Sequence, residues 1–173
     1  MPEPRDPPTP VARARERDEP LRRDVRLLGD LLGRVLVEQG GDGLLEVEER
    51  PDGQARVRLA AGTMFASGGD ALGEEAPELV RRVAAALAQL PGRILVVGHT
   101  DDQPLRSLRF KDNYELSTAR ARAVADVLAA SLGDASRIDV VGAGASQPLA
   151  TPVTLAENRA RNRRVEILYQ PGD

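Results

Sequence analysis

The chain has 173 residues and a net charge of −3 at pH 7, with 41% apolar but only 2% aromatic residues. These figures fit one domain plus a tail, with a core of aliphatic side chains. The acidity argues against general electrostatic attachment to nucleic acid or anionic lipid. Because cysteine is absent and His99 is the single histidine, the sequence excludes disulfides, thiolate metal sites and histidine-rich metal centres.

The first 41 residues are predicted to precede the main domain, which we place at residues 42–173. Residues 1–20 hold six prolines among mixed Arg, Asp and Glu, so we predict a disordered linker rich in Pro and Arg. Residues 21–41 are predicted to form a helix that ends at paired glycines, because apolar residues recur there at helical spacing. The sequence shows neither a signal peptide nor an apolar run of about 18 residues. We therefore expect any membrane anchor to lie outside this chain.

From residue 44 onward, strands and helices are predicted to alternate. Two strands should flank the turn Arg50-Pro51-Asp52-Gly53 as a hairpin. The segments are predicted as strands 44–49 and 54–60, loop 62–69, helix 74–90, strand 93–98, helix 113–132, strand 138–141, helix 154–162 and strand 163–170. Strands 93–98 and 138–141 are apolar and are predicted to be buried, whereas Asn113 and Thr154 are predicted to cap their helices. The order predicts an α/β (α+β) fold, a two-layer sandwich of a mixed β-sheet with helices on one face.

One group of polar residues is predicted to form a ligand site. Asn113, Leu116 and Arg120 lie three and four residues apart, which places them on one face of a helix. Asp101 follows a strand, where loops of α/β sheets often carry ligand sites. We expect Asp101 and Arg120 to be partly exposed and to face each other across a pocket. An aspartate attracts an ammonium group and an arginine binds a carboxylate in a bidentate pair, so this arrangement favours a small zwitterion such as an amino acid.

Short segments along the chain resemble motifs of the OmpA/MotB C-terminal family. The segments are Met64-Phe65-Ala66-Ser67-Gly68, Gly98-His99-Thr100-Asp101, Asn113-Tyr114-Glu115-Leu116-Ser117-Thr118-Ala119-Arg120-Ala121, Gly142-Ala143-Gly144-Ala145-Ser146-Gln147-Pro148 and Asn162-Arg163-Arg164-Val165-Glu166-Ile167. They occur in the family's order and cover about residues 55–170. Within the family, the sequence is most similar to MotB and to the C-terminal periplasmic extension of the type VI secretion protein TssL.

The resemblance implies noncatalytic binding of peptidoglycan through the meso-diaminopimelate of its stem peptide. It implies ligand contacts for several residues of the matching motifs. These are Phe65, Thr100, Asp101, Asn113, Leu116, Arg120 and either Arg163 or Arg164. No cofactor and no metal ion is implied.

The resemblance also implies a place of action and partners. It implies a periplasmic domain that anchors a cell-envelope machine, such as a type VI secretion system or a flagellar stator, to the cell wall. The expected partners are peptidoglycan and the proteins of that secretion or motor complex, with no nucleic acid and with membrane attachment only through a segment absent from this chain. Whether the domain forms a homodimer is left open.

Two other classes of function are weaker alternatives. An RNA-binding α/β sandwich could use the basic cluster Arg159, Arg161, Arg163 and Arg164, but it would need sheet-face aromatic side chains to stack bases. The aromatic residues are too few for that, since Phe and Tyr supply two residues each and Trp none. A small metal-assisted hydrolase could use His99, Asp101 and Asp102, but further ligands at suitable spacing are missing.

Overall fold

The computed structural model describes residue 30 and residues 45–50, 53–66 and 68–172. Its elements are β1 (Leu45–Glu49), β2 (Ala55–Ala60), α1 (Ala61–Met64), α2 (Ala76–Leu87), β3 (Gly92–His99), α3 (Asn113–Leu132), a 3₁₀ turn (Ala135–Arg137), β4 (Ile138–Gly144), α4 (Ala156–Asn162) and β5 (Arg164–Pro171). The linker predicted over residues 1–20 and, except for Asp30, the helix predicted over 21–41 lie outside the described residues. The division into domains therefore stays a prediction.

The five strands form one mixed sheet in the order β1-β2-β5-β3-β4. Strands β1 and β2 pair as the predicted antiparallel hairpin, with Leu45 opposite Leu59. Strand β5 is antiparallel to both β2 and β3, whereas β3 and β4 are parallel and are connected through α3. The predicted fold class, a mixed sheet with helices on one face, is confirmed.

Helices α2 and α3 cover one face of this sheet and enclose an aliphatic core. In α2, Leu79, Val83 and Leu87 recur every fourth residue, so one side of the helix is buried. The strands contribute alternate residues, because neighbouring side chains of a strand point to opposite faces. The largest fully buried side chains include Leu59, Ile94, Leu128, Ile167 and Tyr169. Among the described residues, no helix combines the length and apolarity needed to cross a bilayer.

Two glycines let α3 lie directly against the ends of β3 and β4. A Cβ atom added to Gly98 would lie 1.9 Å from the carbonyl oxygen of Ser117, and one added to Gly142 would lie 2.0 Å from Thr118 Oγ1. Ser117 in turn accepts a hydrogen bond of 3.0 Å from the backbone N–H of Gly144. This close approach places the first turns of α3 beside the loop that follows β3.

Three local predictions were wrong. Strand β4 lies at the sheet edge, and Val141 is 46% exposed because helices cover only one face. The loop predicted over 62–69 begins with the short helix α1. Thr154 does not cap α4, which begins after Leu155 without a side-chain cap.

Candidate functional site

A pocket of about 470 Å³ lies between the loop after β3, the first half of α3, and α1 with its following loop. This volume falls in the range of sites for small molecules. The pocket gathers most of the predicted site residues. They are Phe65, Thr100, Asp101, Asn113, Leu116, Arg120 and Arg163. Residues 103–106 form a further wall that sequence reasoning missed.

Arg120 is held in place at one edge of its guanidinium group. Its Nε donates a hydrogen bond of 2.8 Å to the carbonyl oxygen of Gly69, and its Cζ lies 5.2 Å from the centroid of the Phe65 ring. Within the described part of the chain, neither Nη atom of Arg120 makes a hydrogen bond. Burial, and then the charge of Arg163, lower the pKa of Arg120, while Asp101 and Asp70 act in the opposite direction. An anion bound to the two Nη atoms would offset the unfavourable desolvation of the buried guanidinium group.

Asp101 is paired with Arg163 and with the backbone of Gln103. Arg163 Nη1 lies 2.6 Å from Asp101 Oδ2, and the backbone N–H of Gln103 donates to Oδ1 at 3.1 Å. Each carboxylate oxygen can accept a second hydrogen bond, so Asp101 retains capacity for a ligand ammonium. The expectation that Asp101 and Arg120 are partly exposed was wrong, since they are 8% and 6% exposed. Both are enclosed by the surrounding loops while still lining the pocket.

The start of α3 orients the polar wall of the pocket. The N-cap is Asp112, whose side chain accepts from the N–H of Glu115, so the prediction that Asn113 caps the helix was wrong. Asn113 is the first helical residue, and its Nδ2 donates to the carbonyl oxygen of Gln103 at 2.9 Å. Leu116 is 4% exposed and serves both the core and the pocket wall. The side-chain amide of Asn113 therefore connects α3 to the loop that follows β3.

The structure separates the two candidate arginines of the closing segment. Arg163 lines the pocket, whereas Arg164 lies outside it, paired with Glu166 at 2.7 Å and 6% exposed. Arg159 and Arg163, four residues apart, contact the adjacent Asp102 and Asp101 respectively. The sequence contains one feature that could have predicted these two ion pairs. Two arginines four residues apart lie on the same side of a helix, and they can therefore contact two consecutive aspartates.

His99 lies just before the site residues, at the end of β3, and its side chain is buried. It is 1% exposed, and neither ring nitrogen hydrogen-bonds within the described part of the chain. Burial and the neighbouring Arg164 and Arg56, only partly opposed by Glu166, lower its pKa from 6.5 to about 4. Within the described residues, no group of three acidic or histidine side chains is placed to hold a metal ion. With this lowered pKa, the imidazole ring of His99 is neutral at physiological pH.

The buried His99 should make folding stability depend on pH. Because its pKa is lower in the folded protein, the unfolded chain binds more protons below pH 6.5, and stability falls as the pH drops from 6.5 towards 4. We expect His99 to contribute about 2 kcal/mol to the loss of unfolding free energy between pH 7.5 and 5.0. Urea unfolding at both values should show a smaller loss for His99→Gln than for the wild type. An equal loss in the two proteins would contradict a neutral buried His99.

Comparison with known proteins gives consistent matches. The OmpA family model matches residues 64–163. Motility protein B from Helicobacter pylori is 32% identical over 139 residues, which are 79% of this chain and 53% of that protein. The structure of its periplasmic domain (residues 90-256) has a TM-score of 0.69 at 30% identity and covers 78% of this chain and 83% of that one. The chain thus spans about half the length of this relative.

Two further relatives are named for an association with the cell wall or its peptidoglycan. The structure of the cell wall anchor of the T6SS from Pseudomonas aeruginosa has a TM-score of 0.75 at 38% identity, covering 84% of this chain and 97% of that one. The peptidoglycan-binding protein ArfA from Mycobacterium bovis is 36% identical over 120 residues, 68% of this chain and 35% of that protein. With the family model covering more than half of its residues, the chain belongs to the OmpA family.

Proposed function

We propose that this domain binds peptidoglycan noncatalytically, through the meso-diaminopimelate of the stem peptide, and anchors a cell-envelope machine to the wall. The proposal rests on Arg120, whose Nε donates to Gly69 and whose guanidinium group stacks on the Phe65 ring, while neither Nη atom makes a hydrogen bond within the described residues. A buried guanidinium prepared in this way suits a carboxylate, which it binds through two parallel hydrogen bonds.

The other pocket groups match the rest of such a ligand. The free end of a diaminopimelate side chain carries an ammonium group beside its carboxylate, and Asp101 would bind the ammonium while Arg120 binds the carboxylate. Asn113 and Leu116 would contact the polar and apolar parts of the ligand. Among the described residues, three arginines and one aspartate line the pocket. This excess of positive charge favours a ligand with an additional carboxylate.

The relatives support both the proposed target, peptidoglycan, and the proposed compartment, the periplasm. One of them is described as peptidoglycan-binding and another as a cell wall anchor, while the H. pylori structure is that of a periplasmic domain. We infer the same compartment for this domain, with a secretion or motor complex as its partner.

Asp101→Asn should weaken ligand binding because it removes the charge that attracts the ammonium. The amide keeps one oxygen that can accept from the N–H of Gln103, but its NH2 group cannot accept from Arg163. We expect affinity for the tripeptide L-Ala-γ-D-Glu-meso-diaminopimelate to fall about tenfold or more, as for other charged hydrogen bonds. Isothermal titration calorimetry measures this loss.

Asp102→Asn is the matched control for that substitution. Asp102 is the adjacent carboxylate, and it pairs with Arg159 rather than lining the pocket. Its substitution should change affinity less than about twofold, in line with the small contribution of exposed ion pairs. Equal losses in the two variants would indicate a general effect of loop charge.

Sedimentation with purified sacculi tests the proposed function. Wild-type protein should pellet with sacculi of the diaminopimelate type, and free meso-diaminopimelate should release it. Lysine, which has the same chain without the second carboxylate, should release it poorly. Pelleting that both amino acids leave unchanged would mean that the wall is bound by another surface, and absence of pelleting would contradict the proposal.

A further inference from the structure

Two loops that each contribute residues to the pocket wall are joined by an ion pair. Arg109 donates to both oxygens of Asp70, with Nη1–Oδ1 and Nη2–Oδ2 distances of 2.6 and 3.0 Å. We call this pair the Asp70–Arg109 clasp. Asp70 belongs to the loop after α1, and Arg109 belongs to the loop between β3 and α3. Residues of both loops line the pocket.

The clasp lies next to the hydrogen bond that orients Arg120. Asp70 directly follows Gly69, whose carbonyl oxygen accepts the hydrogen bond from Arg120 Nε. The turn that presents this carbonyl is closed by hydrogen bonds from Gly69 N–H to Ala66 O and from Ala66 N–H to Ala71 O. A shift of Asp70 would therefore move the acceptor that orients the guanidinium group.

The Arg109 side of the clasp has its own anchor. Its Cζ lies 5.1 Å from the centroid of the Phe110 ring, and Phe110 is 9% exposed. The backbone N–H groups of Arg109 and Phe110 both donate to Ser107 Oγ. The Asp70–Arg109 clasp thus connects the turn at Gly69 to a loop that is held in place by the buried side chain of Phe110.

The solvent exposure of Arg109 indicates that the clasp contributes little to the stability of the fold. The side chain of Arg109 is 70% exposed and that of Asp70 is 16% exposed, and exposed ion pairs stabilise proteins only weakly. A bidentate geometry nevertheless fixes the relative position of its two partners. Its structural consequence is therefore local and lies at Gly69 and Arg120.

We propose that Asp70 and Arg109 are positioning residues for ligand binding, which hold the Gly69 carbonyl so that Arg120 keeps its two Nη atoms directed at the ligand. The inference rests on the proposed function, since it assigns a role within the same site. Without the clasp, Arg120 samples other orientations and releases the ligand sooner. Loss of preorganisation should therefore appear mainly in the dissociation rate.

Binding kinetics of three variants test the clasp. For Arg109→Gln and Asp70→Asn, we expect affinity for the diaminopimelate tripeptide to fall about threefold to tenfold. The double variant should lose no more than either single one, because each substitution breaks the same contact. The exposed pair Arg93–Asp139, with side chains 60% and 57% exposed, supplies a matched control, and Arg93→Gln should bind like the wild type. Unchanged affinity in Arg109→Gln and Asp70→Asn would overturn the proposal.

A measurement without ligand separates this inference from the proposed function. In ¹⁵N NMR spectra, the Arg120 Nε–H signal, assigned by its loss in Arg120→Lys, should exchange with water faster in Arg109→Gln than in the wild type. The charge-exchanged variant Asp70→Arg with Arg109→Asp should slow the exchange again. An unaltered Arg120 signal in Arg109→Gln would refute the clasp even if affinity fell. If the signal responds but the wild type binds no tripeptide, the ligand assignment fails and the positioning of Arg120 stands.

Discussion

Replacing Arg120 by alanine is expected to lower affinity for diaminopimelate-type peptidoglycan fragments by about a hundredfold or more, which corresponds to about 3 kcal/mol. The substitution removes both Nη atoms, which make no hydrogen bond within the described residues, and with them the proposed bidentate partner of the ligand carboxylate. It also leaves the carbonyl oxygen of Gly69 without its donor, so we expect a stability loss of about 1 kcal/mol. Calorimetric titration gives the first quantity and urea unfolding gives the second.

Two companion variants determine what the Arg120 result means. Arg122 lies on the same helix and is exposed, so Arg122→Ala should bind like the wild type. Arg120→Lys keeps the charge but loses the planar pair of donors, and its affinity should fall about tenfold. If Arg120→Ala bound as tightly as Arg122→Ala, the role proposed for Arg120 would have to be abandoned.

Gly98→Ala is expected to destabilise the fold by about 3 kcal/mol or more. The added Cβ would lie 1.9 Å from the carbonyl oxygen of Ser117 and 2.7 Å from its carbonyl carbon. Both are backbone atoms, so no side-chain rotation can relieve the overlap, and α3 would have to move away from β3. Urea unfolding should show a lower midpoint with an unchanged slope if the native state remains compact.

Gly73→Ala provides the control for a new methyl group without overlap. Its Cβ would lie 3.9 Å from the carbonyl oxygens of Met64 and Thr63, which is ordinary contact. Its stability should stay within about 1 kcal/mol of the wild type. If Gly98→Ala were equally mild, the close approach of α3 to the sheet would be incorrect.

Periodicity and turn chemistry were sufficient to predict the main elements of this fold. The apolar stripe of 113–132 and the apolar run of 93–98 predicted α3 and the interior strand β3. The edge position of β4 could not be predicted, because an apolar strand can have the same sequence pattern at the centre and at the edge of a sheet. The short helix α1 was missed because four residues contain about one turn, too little for a periodic signal.

The candidate site was predictable in its residues but not in its pairings. Helical spacing placed Asn113, Leu116 and Arg120 on one face, and all three line the pocket. The contacts of Asp101 with Arg163 and of Asp70 with Arg109 join residues 62 and 39 positions apart. Such contacts depend on how loops fold over the sheet, which local sequence patterns do not encode. The ligand roles of these residues stay predictions.

The most direct test compares two stem peptides that differ by one carboxylate. L-Ala-γ-D-Glu-meso-diaminopimelate and L-Ala-γ-D-Glu-L-Lys should be titrated into the wild-type protein under identical conditions. Because we propose that Arg120 binds the additional carboxylate, we expect the diaminopimelate peptide to bind about a hundredfold more tightly. Equal affinities for the two peptides, or tighter binding of the lysine peptide, would contradict recognition of the ligand by Arg120 and with it the proposed basis of wall anchoring.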